Sequence, residues 1–112
     1  MDTSTAVVGL YALAQESRLE IFRLLVQHGP DGLCVGDIAA QLAIAPATLS
    51  FHLKELLRAG LLTATRQSRH IYYAADFSAM NGLLNYLTEN CCGGAACGVS
   101  IKPQPKRKRG SK

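Results

Sequence analysis

A mainly α-helical domain carrying one small β-hairpin, in the order α-α-α-α-β-β-α, is the fold the sequence predicts, and three observations carry it. Apolar residues recur at helical spacing in five separate stretches. Between the fourth and the fifth, residues 61–66 and 70–75 are rich in Thr, Ile and Tyr, a composition that suits strands better than helices. Gly29-Pro30, Pro46 and Gly60 stand where helices have to stop or start.

The first helix follows from Val7, Leu10, Tyr11, Leu13 and Ala14 and covers about residues 3–15. Ser17 followed by Glu20 matches a capping box, which predicts a second helix beginning near Arg18 with Leu19, Phe22, Leu25 and Val26 on one face. Pro30, Asp31 and Gly32 read as a loop. Val35, Ile38, Ala39 and Leu42 then mark a short third helix. Ala43, Ile44 and Ala45 connect it to a fourth helix over 46–59, opened by Pro46, whose missing N–H costs nothing at a first helical position. In that helix Leu49, Leu53, Leu56 and Leu57 form a core stripe, and Ala47, Thr48, Phe51, Lys54, Glu55 and Arg58 face away. Gln67, Ser68 and Arg69 join the two strands, giving the hairpin a basic, polar tip. Asp76 is a good N-cap for a last helix through about Glu89, built on Phe77, Met80, Leu83, Leu84 and Leu87. Gly93 and Gly94 are expected to end regular structure.

At 112 residues, 48% of them hydrophobic, the chain suits one compact domain with a real core. The domain is expected over 1–90, a cysteine-containing segment over 91–101 and a disordered basic tail over 102–112. No apolar run approaches a membrane span, and Met1 to Ala6 lack the character of a signal peptide, so a cytoplasmic protein with reduced thiols and no membrane partner is expected. The net charge of +4 misleads, because Lys102, Lys106, Arg107, Lys108, Arg109 and Lys112 supply half of the twelve cations. Without them the chain carries six basic against eight acidic residues. A nucleic-acid partner has to be argued from where charge sits.

Helix, short turn, helix, then hairpin is the order of a winged helix-turn-helix, whose second helix fits the major groove of double-stranded DNA. Thr48 and Ser50 are short hydroxyl residues near the start of that helix, Lys54 reaches a phosphate from the same side, and Arg66 and Arg69 bring positive charge to the neighbouring backbone. Ala47, Phe51 and His52 complete the candidate DNA-contacting set. His52 sits at the border of the leucine stripe and reads as an anchor; no carboxylate pair or nucleophile accompanies it, and no enzyme is expected.

Residues 33–76, "LCVGDIAAQLAIAPATLSFHLKELLRAGLLTATRQSRHIYYAAD", resemble the ArsR/SmtB family of metal-responsive repressors. The pattern Ser-x-His-Leu stands at Ser50–Leu53, Leu-x-x-Ala-Gly-Leu at Leu56–Leu61 and Tyr-Tyr at Tyr72-Tyr73. With "LAQESRLEIFRLL" at 13–25 the likeness covers about residues 11–87. Two departures stand out: Gln67-Ser68 replaces the glycine many relatives carry in the wing, and Phe51 replaces the arginine common before the motif histidine. The resemblance implies a homodimer paired through its first and last helices that binds operator DNA and is released by an inducer.

Cys91, Cys92 and Cys97 lie just beyond the last helix, separated by Gly93, Gly94, Ala95 and Ala96, and three thiolates converging this way suit one soft ion. Of the inducer sites known in the family, a Cys-Val-Cys site is not matched by Cys34-Val35-Gly36, nor a histidine-containing zinc site by Asp76-Phe77-Ser78. Members with a cysteine pair and a third cysteine after the last helix resemble this chain better and respond to arsenite, As(III), so the resemblance implies arsenite, with Sb(III) as a second candidate, held by Cys91, Cys92 and Cys97. Two alternatives stay open. One is a redox-sensing repressor of the same fold, the other a small thiol enzyme. Cys34, between Leu33 and Val35, reads as a small buried hydrophobe.

Overall fold

The computed structural model describes residues 1–94. Among the described residues there are five α-helices: α1 (Thr3–Leu13), α2 (Glu16–His28), α3 (Val35–Leu42), α4 (Pro46–Arg58) and α5 (Phe77–Thr88). Three strands, β1 (Leu33–Cys34), β2 (Leu62–Gln67) and β3 (His70–Ala75), form an antiparallel sheet in the order β1-β3-β2. A tight 3₁₀ turn at Cys91–Gly94 follows α5. Among the described residues, no helix is long and apolar enough to cross a membrane.

The core joins α2, α3, α4 and the base of the hairpin. Ile21, Leu25, Ile38, Leu49, Leu53 and Leu56 are fully buried, with Phe22, Leu33, Leu61 and Leu62 beside them. Leu57, predicted in the same stripe, is half-buried at its edge. The helical spacing of these residues on successive elements is what makes the elements pack: each stripe finds cover only against the others.

Several local expectations need correction. The capping box does not form: α2 starts two residues earlier than expected, with Gln15 as N-cap accepting a 2.9 Å hydrogen bond from the Arg18 N–H through its side chain. Ser17 and Glu20 are already inside the helix. Strand β1 escaped the sequence reading because two residues are too short to show a period; it is held by its pairing with β3, Leu33 opposite Tyr73 and Cys34 opposite Tyr72. Gly32 makes that approach possible: at φ +79 a Cβ would lie 2.7 Å from the Tyr73 carbonyl oxygen. Gln67 belongs to β2, so only Ser68 and Arg69 make the turn, and Ser68 takes a left-handed φ of 58°. Past α5 only a tight turn at Cys91–Gly94 follows among the described residues, in which Cys92 and Gly93 are left-handed.

The helix ends are closed by backbone bonding. At the end of α4, Gly60 N–H donates to the Leu57 carbonyl and Leu61 N–H to the Leu56 carbonyl, each at 3.0 Å, a Schellman motif that Gly60 accommodates at φ +80. Asp76 N–H donates to the Leu61 carbonyl at 2.8 Å, tying the start of α5 to the start of the hairpin. The Asp76 carboxylate caps α5 by accepting from the Ala79 N–H at 3.0 Å, as expected for that residue.

On α1 the small residues Ala6, Gly9 and Ala12 face inward, and the larger apolar side chains that betray the helix in the sequence stand outside. Val7, Val8, Leu10 and Tyr11 are exposed, Tyr11 by 78%, as is Leu87 on α5. The hydroxyls of Thr3 and Tyr86 are hydrogen-bonded across α1 and α5.

Candidate nucleic-acid interface

The turn between α3 and α4 sets the presentation of α4. Ala43 adopts a left-handed conformation, φ 55°, and Ile44 N–H donates to the Ala39 carbonyl at 3.2 Å, so the chain reverses within three residues. Ala45 is extended and Pro46 opens the helix. Because Leu49, Leu53 and Leu56 are held in the core, the opposite face of α4 is driven outward. Ala47, Thr48, Ser50, Phe51, Lys54 and Arg58 are all exposed there, Phe51 by 56%. Arg58 was placed on this face by the sequence but not counted among the candidate contacts. Arg66 on β2 and Arg69 in the hairpin turn are exposed as well.

Charge divides sharply along the chain. Residues 43–75 carry Lys54, Arg58, Arg66 and Arg69 against Glu55 alone, whereas residues 1–42 and 76–94 carry Arg18 and Arg23 against seven carboxylates. Among the described residues the one salt bridge is Arg58 to Glu55 at 2.7 Å, which leaves Lys54, Arg66 and Arg69 without an acidic partner. A cationic surface thus exists on a chain whose described part is acidic overall.

His52 does not share the exposed face. It is buried, and the Arg18 guanidinium donates to its Nδ1 at 3.3 Å while Arg18 Nε donates to the Ala12 carbonyl at 2.7 Å. An arginine always donates, so Nδ1 accepts and the ring is the neutral tautomer protonated at Nε2. Burial first and the nearby Arg18 charge second lower its pKa below the ordinary 6.5. Arg18 therefore links the end of α1 to the middle of α4, a role the sequence reading missed. The only sign of it was the arginine of the Leu-x-x-x-x-Arg pattern at 13–18.

The candidate thiol site is covered in part. Cys91 is half-buried and Cys92 exposed, on consecutive positions of the turn that follows α5; Cys97 and the basic tail lie outside the described residues. Among the described residues, no three His, Cys, Asp or Glu side chains gather as a metal-binding group. Cys34 is not the buried hydrophobe expected: it is half-buried at the start of α3, with its Sγ donating to the Asp37 carboxylate at 3.3 Å.

A helix-turn-helix whose second helix and adjoining hairpin present hydroxyl and basic side chains together defines a winged-helix regulator of the DNA-binding class. Residues 13–64 match a family model described as a helix-turn-helix domain. The chain is 40% identical over 81 residues to the arsenical resistance operon repressor of Bacillus subtilis (strain 168), covering 72% of this chain and 73% of that protein. An ArsR-like transcriptional regulator from Rhodococcus sp. RHA1 superposes with a TM-score of 0.67 at 25% identity, over 75% of this chain and 76% of that one. The homodimeric winged helix-turn-helix DNA-binding domain of a possible ArsR-family regulator from Mycobacterium bovis gives 0.61 at 26% identity, over 84% and 87%. This chain belongs to the ArsR/SmtB family of transcriptional regulators.

Proposed function

We propose that this regulator is a repressor that binds operator DNA as a homodimer and is released when trivalent arsenic is held by Cys91, Cys92 and Cys97. The observation that carries the reading is where the cysteine pair falls: in the tight turn that follows α5, the helix whose Tyr86 hydroxyl is hydrogen-bonded to Thr3 of α1. Val7, Val8, Leu10 and Tyr11 have no role in the monomer core, and such a patch is the kind of surface that pairs with a copy of itself. The homodimeric relative from Mycobacterium bovis supports the pairing, and the arsenical resistance repressor of Bacillus subtilis supports the inducer class. Pairing through α1 and α5 would set two copies of α4 about one DNA turn apart.

The donor set fits. Two thiols on adjacent residues, one of them exposed, with a third five residues on at Cys97, suit a thiophilic ion that takes three sulfurs in a pyramid. Antimonite shares that chemistry. Segment 91–101 is then the inducer-binding segment, and the basic residues of 102–112 add nonspecific DNA affinity. Gathering the three thiols changes the chain leaving α5, whose packing partner α1 is joined to α4 through Ala12, Arg18 and His52. A coupling of about 1–3 kcal/mol along that route corresponds to a roughly 5- to 150-fold loss of operator affinity.

Fluorescence anisotropy on the DNA upstream of the protein's own gene tests this, with wild type, Cys91→Ser, Cys92→Ser and Cys97→Ser, each with and without arsenite. Release by arsenite in wild type alone is the expected result. Release that persists in all three variants moves the inducer site elsewhere. Release by peroxide but not arsenite replaces the metalloid by thiol oxidation.

A further inference from the structure

Phe51 is the anomaly of the α4 face. A phenylalanine 56% exposed in the middle of a polar, cationic surface contributes little to the core, in contrast to Leu49 and Leu53, two residues to either side and buried on the opposite face. It stands one helical turn after Ala47, so the two make a short apolar strip along the outward centre of α4, with Thr48 and Ser50 beside it and Lys54 and Arg58 beyond. The ring is also oriented: it meets the His52 imidazole edge-on, centroids 5.6 Å apart with the planes at 61°. His52 is itself buried and held by Arg18, so Phe51 leans on a fixed support.

The major groove offers an apolar strip only one kind of partner. Guanine, adenine and cytosine present hydrogen-bonding groups at that edge, which a phenyl ring would strip of water without replacement, while thymine presents its C5-methyl. We propose that Phe51, with Ala47 alongside, reads a thymine methyl in each operator half-site and so sets sequence preference at that position. The inference rests on α4 lying in the major groove, as the proposed repressor function requires. Affinity comes from Lys54, Arg58, Arg66 and Arg69 on phosphates; Phe51 supplies discrimination.

Replacing thymidine by deoxyuridine deletes that methyl and keeps every hydrogen-bonding group, which makes it the sharpest probe. Each thymine of the bound operator is replaced in turn and binding is measured for wild type, Phe51→Ala and Phe51→Leu, with circular dichroism to establish that the variants are folded. Wild type is expected to lose about fourfold at one thymine per half-site, and about fifteenfold when both are replaced, the fold-change equivalent to about 0.8 kcal/mol for each buried methyl. Phe51→Ala should bind thymidine and deoxyuridine operators alike, Phe51→Leu should retain part of the difference, and the salt dependence of all three should be parallel because no phosphate contact is removed. Wild type that binds the operator but is indifferent to every deoxyuridine, or a thymine preference that survives in Phe51→Ala, overturns the role of Phe51 and leaves the repressor reading standing. Wild type that binds no DNA overturns both.

Discussion

Two surfaces of this small domain are exposed for opposite reasons. The α4 and hairpin face is polar and cationic, with Lys54, Arg66 and Arg69 lacking acidic partners, whereas the α1 face carries Val7, Val8, Leu10 and Tyr11 open to solvent. Charge without counter-charge is tolerable in water and becomes favourable against a polyanion; bare apolar surface is unfavourable until something apolar covers it. The first face suits DNA and the second suits another copy of the chain. Between them run Ala12, Arg18 and His52, so the surfaces are separate in chemistry but joined in structure.

The largest expected effect comes from spoiling the apolar face. Val8→Glu with Tyr11→Glu should give a folded monomer, because neither side chain belongs to the core, and operator affinity should fall about 100-fold or more once two-site binding is lost. Analytical ultracentrifugation and anisotropy read the two consequences separately. A variant still dimeric would remove α1 from the pairing surface.

Cutting the link should cost stability on both sides. Arg18→Ala leaves the Ala12 carbonyl and the His52 ring without their donor and is expected to lose about 2 kcal/mol in urea unfolding. On the cationic face, Lys54→Ala should weaken binding about fivefold on every DNA sequence alike and flatten the dependence on log salt by about one unit per subunit. A sequence-selective loss would mean that Lys54 reads bases instead.

Gentler still is the pH dependence carried by His52. The unfolded ring takes up a proton near 6.5 and the buried ring only at lower pH, so below 6.5 the unfolded state holds more protons. This contribution to stability is therefore complete above pH 6.5 and is lost as the pH falls toward the lowered value of the folded protein. Unfolding free energies from pH 8 to 5 should show a slope that His52→Gln, which can still accept from Arg18, removes. The smallest change expected is a gain: Ala43→Gly relieves the left-handed strain at the α3–α4 turn and should add about 0.5 kcal/mol, net of the flexibility glycine brings to the unfolded chain.

Legibility in the sequence followed the range of the forces involved. The five helices, the hairpin and the outward face of α4 were readable because periodicity, Pro46, Gly60 and Asp76 act within a few residues of themselves. The start of α2 was misplaced because Gln15, with an ordinary side chain, won the capping position from a better-known pattern two residues on. The candidate contacts on α4 and the hairpin were named with the exception of Arg58, while His52 is turned to the core behind them.

The sequence by itself determined the five helices and the hairpin, their order, the family and which side of α4 faces out, since these depend on local spacing and on residue type. Only the tertiary structure decided that β1 exists, since a two-residue strand is held by Tyr72 and Tyr73 some forty positions away. The same holds for the outward turn of the larger apolar residues of α1, because a helix apolar on every side does not say which side its neighbours will take. Tertiary packing likewise made Arg18 the joint between α1 and α4, a contact that spans 34 residues of chain and leaves no pattern in any one stretch of it.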